Sequence, residues 1–136
     1  MSGRTFVDSS VLLDVISGDS RWVAWSGQQL SVWADQSQLV INAIVYAEIS
    51  VRVSSREALE HALVDVTKED LPYDAAFLAG KVHAEYRRRG GLRTSLLPDF
   101  LIGAHASVRG YRLLTRDPKR FLNAFPALRL IAPNLG

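Results

Sequence analysis

The sequence predicts an α/β fold, a three-layer α/β/α sandwich around a mostly parallel central sheet. Two observations support this prediction. Short apolar segments rich in β-branched residues alternate with longer segments of helical periodicity. Since helices separate the strands, the strands should pair in parallel through right-handed crossovers. No repeat, low-complexity tract or linker divides the sequence, so residues 1–136 are expected to form one domain.

Composition narrows the class of protein. Apolar residues make up 48% of the chain, as in folded globular proteins, and there is no cysteine for disulfides or thiolate zinc sites. No apolar run reaches the roughly 18 residues that a membrane span requires. The first residues lack the basic, apolar and small-residue order of a secretory signal. These features predict a soluble, cytoplasmic protein without a membrane partner.

The first strand and helix surround an aspartate. Phe6 and Val7 favour a buried strand, and Asp8 follows them directly. A helix with serine as its N-cap should then run from about Ser10 to Ser17. Asp8 therefore stands at the carboxyl end of a strand, where open α/β sheets bind ligands, although capping the helix is an alternative role.

A second predicted helix, 20–37, carries all three tryptophans. Trp22 and Trp25 share one face at helical spacing, and Trp33 continues that face. The indoles either pack in the core or line a groove for a partner, because tryptophan is common at interaction hot spots. The sequence leaves both interpretations open.

The next strand, 39–41, leads into a mostly apolar helix that should run from Ala43 to about Val53. Glu48 is the only charged residue between positions 42 and 51 of this stretch. A buried carboxylate needs a partner, so Glu48 either belongs to a polar site or faces solvent. A further helix is predicted over 56–66.

A predicted helix in the middle of the chain ends in three basic residues. The pattern breaks at 71–74, a stretch with room for a very short strand. An amphipathic helix over 75–89 follows and ends in Arg87, Arg88 and Arg89. Cations offset the dipole at a helix C-terminus, but three adjacent arginines point in three directions. At least one of them should therefore be free to contact a phosphate.

The last part of the chain contains two more carboxylates at element ends. Pro98 suits the first turn of a helix that Gly110 ends, and this places Asp99 in the first turn. A strand over 111–115 precedes Arg116 and Asp117, so Asp117 lies just past a strand end. A short helix or turn, 121–125, and a final strand, 128–131, complete the prediction.

Charge is distributed unevenly along the chain. Residues 1–80 contain five Lys or Arg against eleven Asp or Glu, a net charge of −6, whereas residues 81–136 contain eleven against three, a net charge of +8. A basic half suggests an anionic partner, and nucleic acid is the main candidate. We predict that the backbone of this nucleic acid contacts a set of arginines from this half: Arg87, Arg88, Arg89, Arg112 and Arg116.

Four carboxylates can meet at one edge of the predicted sheet: Asp8, Glu48, Asp99 and Asp117. Carboxylates this close repel one another and need protons or divalent cations. Oxygen ligands without cysteine select hard ions, which indicates Mg²⁺ or Mn²⁺. The histidines, His61, His83 and His105, lack metal-ligand spacing and are interpreted as ordinary helix residues.

The segments around these carboxylates resemble the signature of PIN-domain ribonucleases. The matching segments are Phe-Val-Asp8-Ser-Ser-Val-Leu-Leu-Asp, Tyr-Ala-Glu48-Ile, Pro-Asp99-Phe-Leu-Ile-Gly-Ala-His-Ala and Leu-Leu-Thr115-Arg-Asp117. The length and the ending Phe-Pro-Ala-Leu-Arg-Leu-Ile-Ala-Pro look like the toxin branch called VapC. Each motif alone is weak, but four motifs in this order and spacing cover nearly the whole chain.

The resemblance implies a metal-dependent endoribonuclease. It assigns the catalytic and metal-binding roles to the four carboxylates, with Mg²⁺ or Mn²⁺ as cofactor. Ser9 and Thr115 match the hydroxyl positions that orient carboxylates or water, whereas Asp14 matches no site position and is interpreted as a surface helix residue. Water would attack phosphorus directly, so the expected products carry a 5′-phosphate and a 3′-hydroxyl.

The resemblance also implies partners. It predicts an RNA substrate, a cognate antitoxin protein that neutralises the enzyme, and a homodimer. The antitoxin would need an apolar groove near the acidic edge, and we expect at least one tryptophan of the set Trp22, Trp25 and Trp33 to contact it.

Two alternatives remain at this point. A phosphoacceptor signalling module also clusters acids at a sheet edge, but it should carry adjacent acids after its first strand, and Asp8 is followed by two serines. A non-catalytic RNA-binding or scaffold domain on the same fold should have lost part of its acidic site, and here all four positions are filled.

Overall fold

The computed structural model describes residues 3–91 and 96–133. Its five strands are β1 (Arg4–Val7), β2 (Gln38–Ile41), β3 (Val66–Lys68), β4 (Arg112–Leu114) and β5 (Leu130–Ile131). Its seven helices are α1 (Ser9–Ile16), α2 (Val23–Gln36), α3 (Ala43–Ser50), α4 (Arg56–Ala62), α5 (Tyr73–Arg88), α6 (Leu97–Arg109) and α7 (Lys119–Leu122). No helix within these ranges is long and apolar enough to cross a membrane.

The strands form one parallel sheet in the order β3-β2-β1-β4-β5, which confirms the predicted α/β/α class. The chain moves outward from β1 through β2 to β3 and then crosses back to β4. Right-handed crossovers therefore place α1–α4 on one face of the sheet and α5–α7 on the other. Contacts from neighbouring β1 residues agree with this arrangement. Thr5 bonds to Ser37 beyond α2, whereas the ring of Phe6 lies 5.0 Å from that of His105 in α6.

The central strands are buried on both faces, as parallel strands usually are. Phe6, Val40 and Leu113 are each 0% exposed and pack in the same core. This burial fixes the register between β1 and its neighbours, Phe6 opposite Val40 and Leu113. The ends of β1 and β4 are thereby held side by side, and this pairing positions the polar site described below.

Two predicted segments differ from the structure. The helix predicted over 56–66 ends at Ala62, and its last predicted residue, Val66, starts the edge strand β3. The very short strand considered at 71–74 is absent, because residues 71 and 72 have no regular secondary structure and α5 begins at Tyr73. The three residues of β3 show little strand pattern of their own. The strand forms because it pairs with β2, which lies elsewhere in the sequence.

Candidate active site

The polar site lies where the direction of the crossovers reverses. The chain leaves β1 toward β2 on one side, whereas β4 flanks β1 on the other side, so the ends of β1 and β4 border a crevice. The N–H group of Asp8 donates to the carbonyl of Leu114 at 2.9 Å, which fixes Asp8 beside Thr115. Ligands of open α/β sheets bind at such switch points, at the carboxyl ends of the strands.

Asp8 is the most buried carboxylate of the site, with 0% of its surface exposed. Its Oδ2 atom accepts hydrogen bonds from Ser10 Oγ at 2.7 Å and from Thr115 Oγ1 at 2.8 Å. Its Oδ1 atom is equally buried but has no hydrogen-bond partner. The carboxylate is therefore held through one oxygen, while the lone pairs of the other remain available to a ligand.

The serines after Asp8 serve carboxylates and not the helix terminus. Sequence reasoning made Ser9 or Ser10 the N-cap, but Asp8 occupies the cap position and α1 begins at Ser9. Ser9 Oγ donates to Glu48 Oε1 at 2.7 Å, which brings the α3 carboxylate to the edge where Asp8 lies. Burial raises the pKa of Glu48, and the charge of Asp8 adds to this effect, although the Ser9 bond opposes it.

Asp99 lies in the first turn of α6, as predicted, and only 7% of its surface is exposed. Burial raises its pKa to about 6, and the charges of Asp8 and Glu48 contribute, whereas Arg120 acts in the opposite direction. The three carboxylates thus influence one another electrostatically. Asp117 is more open, with 47% of its side chain exposed, and its N–H group donates to Thr115 Oγ1 at 3.0 Å.

Arg120 completes the site, and sequence reasoning missed it. Its guanidinium donates to Asp8 Oδ2 and to Asp99 Oδ1, and its Nε atom lies 3.6 Å from Asp117 Oδ2. Burial opposes its charge, but the carboxylates of Asp8 and Asp99 outweigh that cost and raise its pKa. In the sequence, Lys119-Arg120 is indistinguishable from a pair of surface cations, so only the fold could reveal this contact.

The site has the donor chemistry for a hard divalent cation. Its ligands would all be carboxylate oxygens, the type that Mg²⁺ and Mn²⁺ prefer, and Asp8 Oδ1 is a buried acceptor without a donor. Within residues 3–91 and 96–133, however, no three acidic or histidine side chains are arranged as a ready metal cage. Arg120 stands between the carboxylates instead.

Asp14 is not a surface residue, contrary to the sequence-based interpretation. It is 2% exposed and forms a two-pronged ion pair with Arg116, through distances of 3.1 Å to Nε and 2.9 Å to Nη2. Ser26 of α2 also donates to it at 2.7 Å. Asp14 faces inward because Arg116, distant in sequence, neutralises it, and the pair ties α1 to the loop after β4.

The predicted RNA-contacting arginines lie in three environments. Arg88 and Arg89 both pair with Glu85 near the end of α5 yet keep more than 70% of their side chains exposed. Arg87 is exposed and has no ion pair among the described residues. Arg112 lies at the start of β4, above the Trp33 ring at 4.7 Å, and the structure does not bring it to the carboxylates. Arg116 lies nearer the site but is held by Asp14.

A cavity of about 600 Å³ opens beside the carboxylates, between α5, α6 and α7. Phe100 and Tyr86 contribute aromatic surface, while three cations surround it: Lys81, Arg89 and Lys119. Asp117 and Arg120 also line the cavity, so it is continuous with the acidic site. Sequence reasoning identified only Arg89 of these cations, because Lys81 and Lys119 belong to no motif.

The tryptophans do not share one environment. Trp25 and Trp33 pack against the core, as one of the two interpretations required. Trp22 precedes α2, meets Trp25 edge-on at 6.2 Å, and lies under the guanidinium of Arg116 at 5.6 Å. Trp22 is therefore the indole nearest to the loop that carries Asp117.

His105 belongs to a separate, buried network. It bridges Asn42 at 3.0 Å and Glu69 at 2.8 Å, and Tyr111 also donates to Glu69. Burial lowers the pKa of His105 despite the neighbouring Glu69 carboxylate. The network joins α6 to the start of α3 and to the residue after β3, and its hydrogen bonds explain why this histidine can be fully buried.

Comparison with protein families gives one match that spans most of the chain. The model of the PIN domain matches residues 5–125. A comparison with curated protein sequences finds no match.

Solved structures with the same fold include VapBC proteins and a toxin–antitoxin complex. VapBC2 from Rickettsia felis, bound to a DNA fragment from its promoter, matches with a TM-score of 0.72 and 21% identity over 96% of this chain and 99% of that chain. A toxin–antitoxin complex from Klebsiella pneumoniae gives a TM-score of 0.71 and 24% identity over 96% and 98%. VapBC-1 from nontypeable Haemophilus influenzae gives 0.72 and 18% over 95% and 97%.

Proposed function

Since this chain belongs to the PIN domain family, we propose that it is a Mg²⁺- or Mn²⁺-dependent endoribonuclease, the toxin of a toxin–antitoxin pair. One observation carries the proposal. Asp8, Asp99 and Asp117, which come from three separate elements, surround a single cation at the switch point of a parallel sheet. A site that concentrates negative charge in this way is suited to hold divalent ions against a phosphodiester.

Asp8, Glu48, Asp99 and Asp117 would hold the metal. When bound, the ion would activate a water molecule and neutralise charge on the scissile phosphate. Thr115 and Ser10 restrict Asp8 by bonding to Oδ2 and leave Oδ1 for coordination. Ser9 holds Glu48 in a similar manner. These hydroxyls orient their carboxylates before substrate arrives, which lowers the cost of assembling the site.

The RNA ends that the purified protein generates test this function. We expect cleavage of single-stranded RNA in Mg²⁺ or Mn²⁺, products with a 5′-phosphate and a 3′-hydroxyl, and no cleavage in EDTA. Equal cleavage in EDTA, or products with a 2′,3′-cyclic phosphate, would contradict the proposal. A domain that binds RNA in EDTA and never cleaves it would instead support the non-catalytic alternative.

We propose that RNA enters through the cavity between α5, α6 and α7. Its cations suit phosphates, and its aromatic surface suits a base, a combination common in single-strand binding sites. The Arg88 and Arg89 contacts to Glu85 are highly exposed and therefore weak, so phosphate can replace them at little cost.

Removing two cavity cations should weaken RNA binding and reduce its salt dependence. For the double variant Arg89→Ala and Lys119→Ala, the slope of log affinity against log salt should become shallower by about 1.4, because each phosphate contact on a single strand accounts for about 0.7 of the slope through counterion release. Fluorescence anisotropy in EDTA separates this binding from cleavage. The control is Arg52→Ala with Arg56→Ala, which removes the same charge outside this cavity. An identical slope in both double variants would place the RNA elsewhere.

We also propose that the antitoxin covers Trp22. Val15 and Val23, which are 40% and 37% exposed, lie on the helices beside it, and Arg21 and Arg116 both stack on its ring. An apolar anchor with charged residues around it suits an amphipathic antitoxin segment. The solved structures of similar fold are complexes of VapC-type toxins with their antitoxins, which supports such a partner.

Tryptophan fluorescence can test this surface if the antitoxin lacks tryptophan. Binding should shift the emission of the wild-type protein, and Trp22→Phe should lose that shift while keeping ribonuclease activity. Trp33→Phe is the matched control. Because Trp33 packs against the core, this variant should keep the shift in emission. If Trp33→Phe loses the shift and Trp22→Phe keeps it, the antitoxin binds at the far end of α2.

A further inference from the structure

Arg120 places a positive charge where the proposed function requires a metal ion. Its guanidinium contacts Asp8 and Asp99, approaches Asp117, and is only 20% exposed. Among the described residues, Arg120 is the cation that joins these three carboxylates. A divalent ion held by the same carboxylates must therefore compete with the guanidinium for their negative charge.

We propose that Arg120 is an internal counter-cation that stabilises the carboxylates in the metal-free protein and leaves Asp8 and Asp99 when a divalent cation binds. This inference rests on the proposed function, because it assumes that these carboxylates bind a metal. It adds a residue that regulates access to the site and that the family comparison does not identify. Arg120 would set the metal concentration at which the enzyme becomes active.

Two buried polar atoms of the site have no hydrogen-bond partner while Arg120 occupies it. Asp8 Oδ1 is buried without a hydrogen bond, and so is the Nε atom of Arg120. A buried arginine with a purely structural role usually satisfies its donors fully, because each unpaired polar atom costs free energy. The unpaired atoms on both partners indicate a contact that another ligand of Asp8 can replace.

The local fold allows the side chain to leave while its backbone stays. Phe121, the next residue, is 0% exposed and anchors α7. Gly103 of α6 lets Phe125 approach so closely that a Cβ atom at position 103 would lie 2.5 Å from the ring. On the other side, Arg120 lines the 600 Å³ cavity with Lys119 and Asn123. The long arginine side chain can therefore withdraw into this cavity without unfolding α7.

Direct metal binding, measured without RNA, tests the inference. Calorimetry with Mn²⁺ should show an affinity at least about tenfold higher for Arg120→Met than for the wild type, because the ion no longer breaks two charge-assisted bonds. Lys119→Met is the control. It removes the same charge from the neighbouring position, where the side chain is exposed, and should change the affinity much less.

Thermal unfolding gives a second readout that a structural arginine would not produce. In EDTA, Arg120→Met should lower the Tm, and saturating Mn²⁺ should restore it to the wild-type value, because the ion replaces the lost charge. If Arg120→Met fails to fold, Arg120→Lys serves instead. The lysine ammonium lacks the planar, two-pronged fork of the guanidinium and should hold the two carboxylates less firmly, so the Mn²⁺ affinity of Arg120→Lys should exceed that of the wild type.

The outcomes separate this inference from the function on which it rests. If Mn²⁺ binds, Asp8→Asn weakens it, and both Arg120 variants bind it as the wild type does, the counter-cation role is wrong while the metal site stands. If the Tm loss of Arg120→Met persists in saturating Mn²⁺ with unchanged affinity, Arg120 is only structural. If Mn²⁺ binds none of these proteins, or binds independently of Asp8, the proposed function and this inference both fail.

Discussion

Replacing Asp8 with asparagine is expected to reduce RNA cleavage by roughly a thousandfold, since a bound ion supplies several kcal/mol of charge stabilisation. Among the four carboxylates, Asp8 has the structural features that best suit a metal ligand. It is 0% exposed, follows the central strand β1, and has one buried oxygen without a partner. Asparagine has nearly the same shape but no charge, so it can still accept from Ser10 and Thr115 through its amide oxygen.

The expected loss is therefore one of metal binding and not of folding. Circular dichroism and the Tm in EDTA should show that Asp8→Asn is folded, while the Mg²⁺ dependence of cleavage disappears. Asp65→Asn is the control, because Asp65 is exposed in the turn between α4 and β3. Cleavage by Asp8→Asn at the rate of Asp65→Asn would remove Asp8 from the mechanism.

The placement of the carboxylates could be predicted because strand ends are easy to recognise in this chain. Apolar segments stop at Asp8 and before Asp117, and Pro98 marks the start of the helix that carries Asp99. In a parallel sheet these positions are brought to one edge. The structure places Asp8 and Asp99 on the same guanidinium. Their role as metal ligands stays a prediction.

What the sequence could not show depends on contacts between distant segments. Asp14 looked exposed because an acid on a helix surface is ordinary, and its burial depends on Arg116, 102 residues away. Arg120 reaches Asp8 across 112 residues and belongs to no pattern. Strand β3 was missed for the same reason, since its pairing with β2 outweighs a weak local preference.

The balance of charge in the site leads to a prediction about stability. One guanidinium faces the carboxylates of Asp8, Glu48, Asp99 and Asp117, so the metal-free site retains excess negative charge. Asp99 shows this most clearly, because burial and its acidic neighbours raise its pKa from 3.8 to about 6. Folding therefore favours the protonated form of Asp99, and the ionised form of Asp99 destabilises the folded protein.

The sign of the pH dependence follows from these two values. Below pH 3.8 Asp99 is protonated in both the folded and the unfolded chain and has no effect. Between about pH 4 and about pH 6 the unfolded chain releases the proton while the folded protein retains it. The contribution of Asp99 to the free energy of unfolding therefore decreases as the pH rises through this window, and above it the full cost of the buried charge remains.

Asp99→Asn should consequently make the metal-free protein more stable at pH 7.5 while it abolishes cleavage. We expect an increase of about 1–3 kcal/mol in the free energy of unfolding, the upper value corresponding to the whole shift in pKa, and no increase near pH 3.5. Urea denaturation in EDTA across this pH range measures this change in the free energy of unfolding.

Asp74→Asn is the matched control, because Asp74 is an exposed aspartate in the first turn of α5. Losing its charge should cost about 0.3–1 kcal/mol, since the favourable interaction with the helix dipole is lost. If Asp99→Asn is destabilised at pH 7.5 as Asp74→Asn is, Asp99 acts as a helix-end charge, and burial and the acidic neighbours do not raise its pKa to about 6.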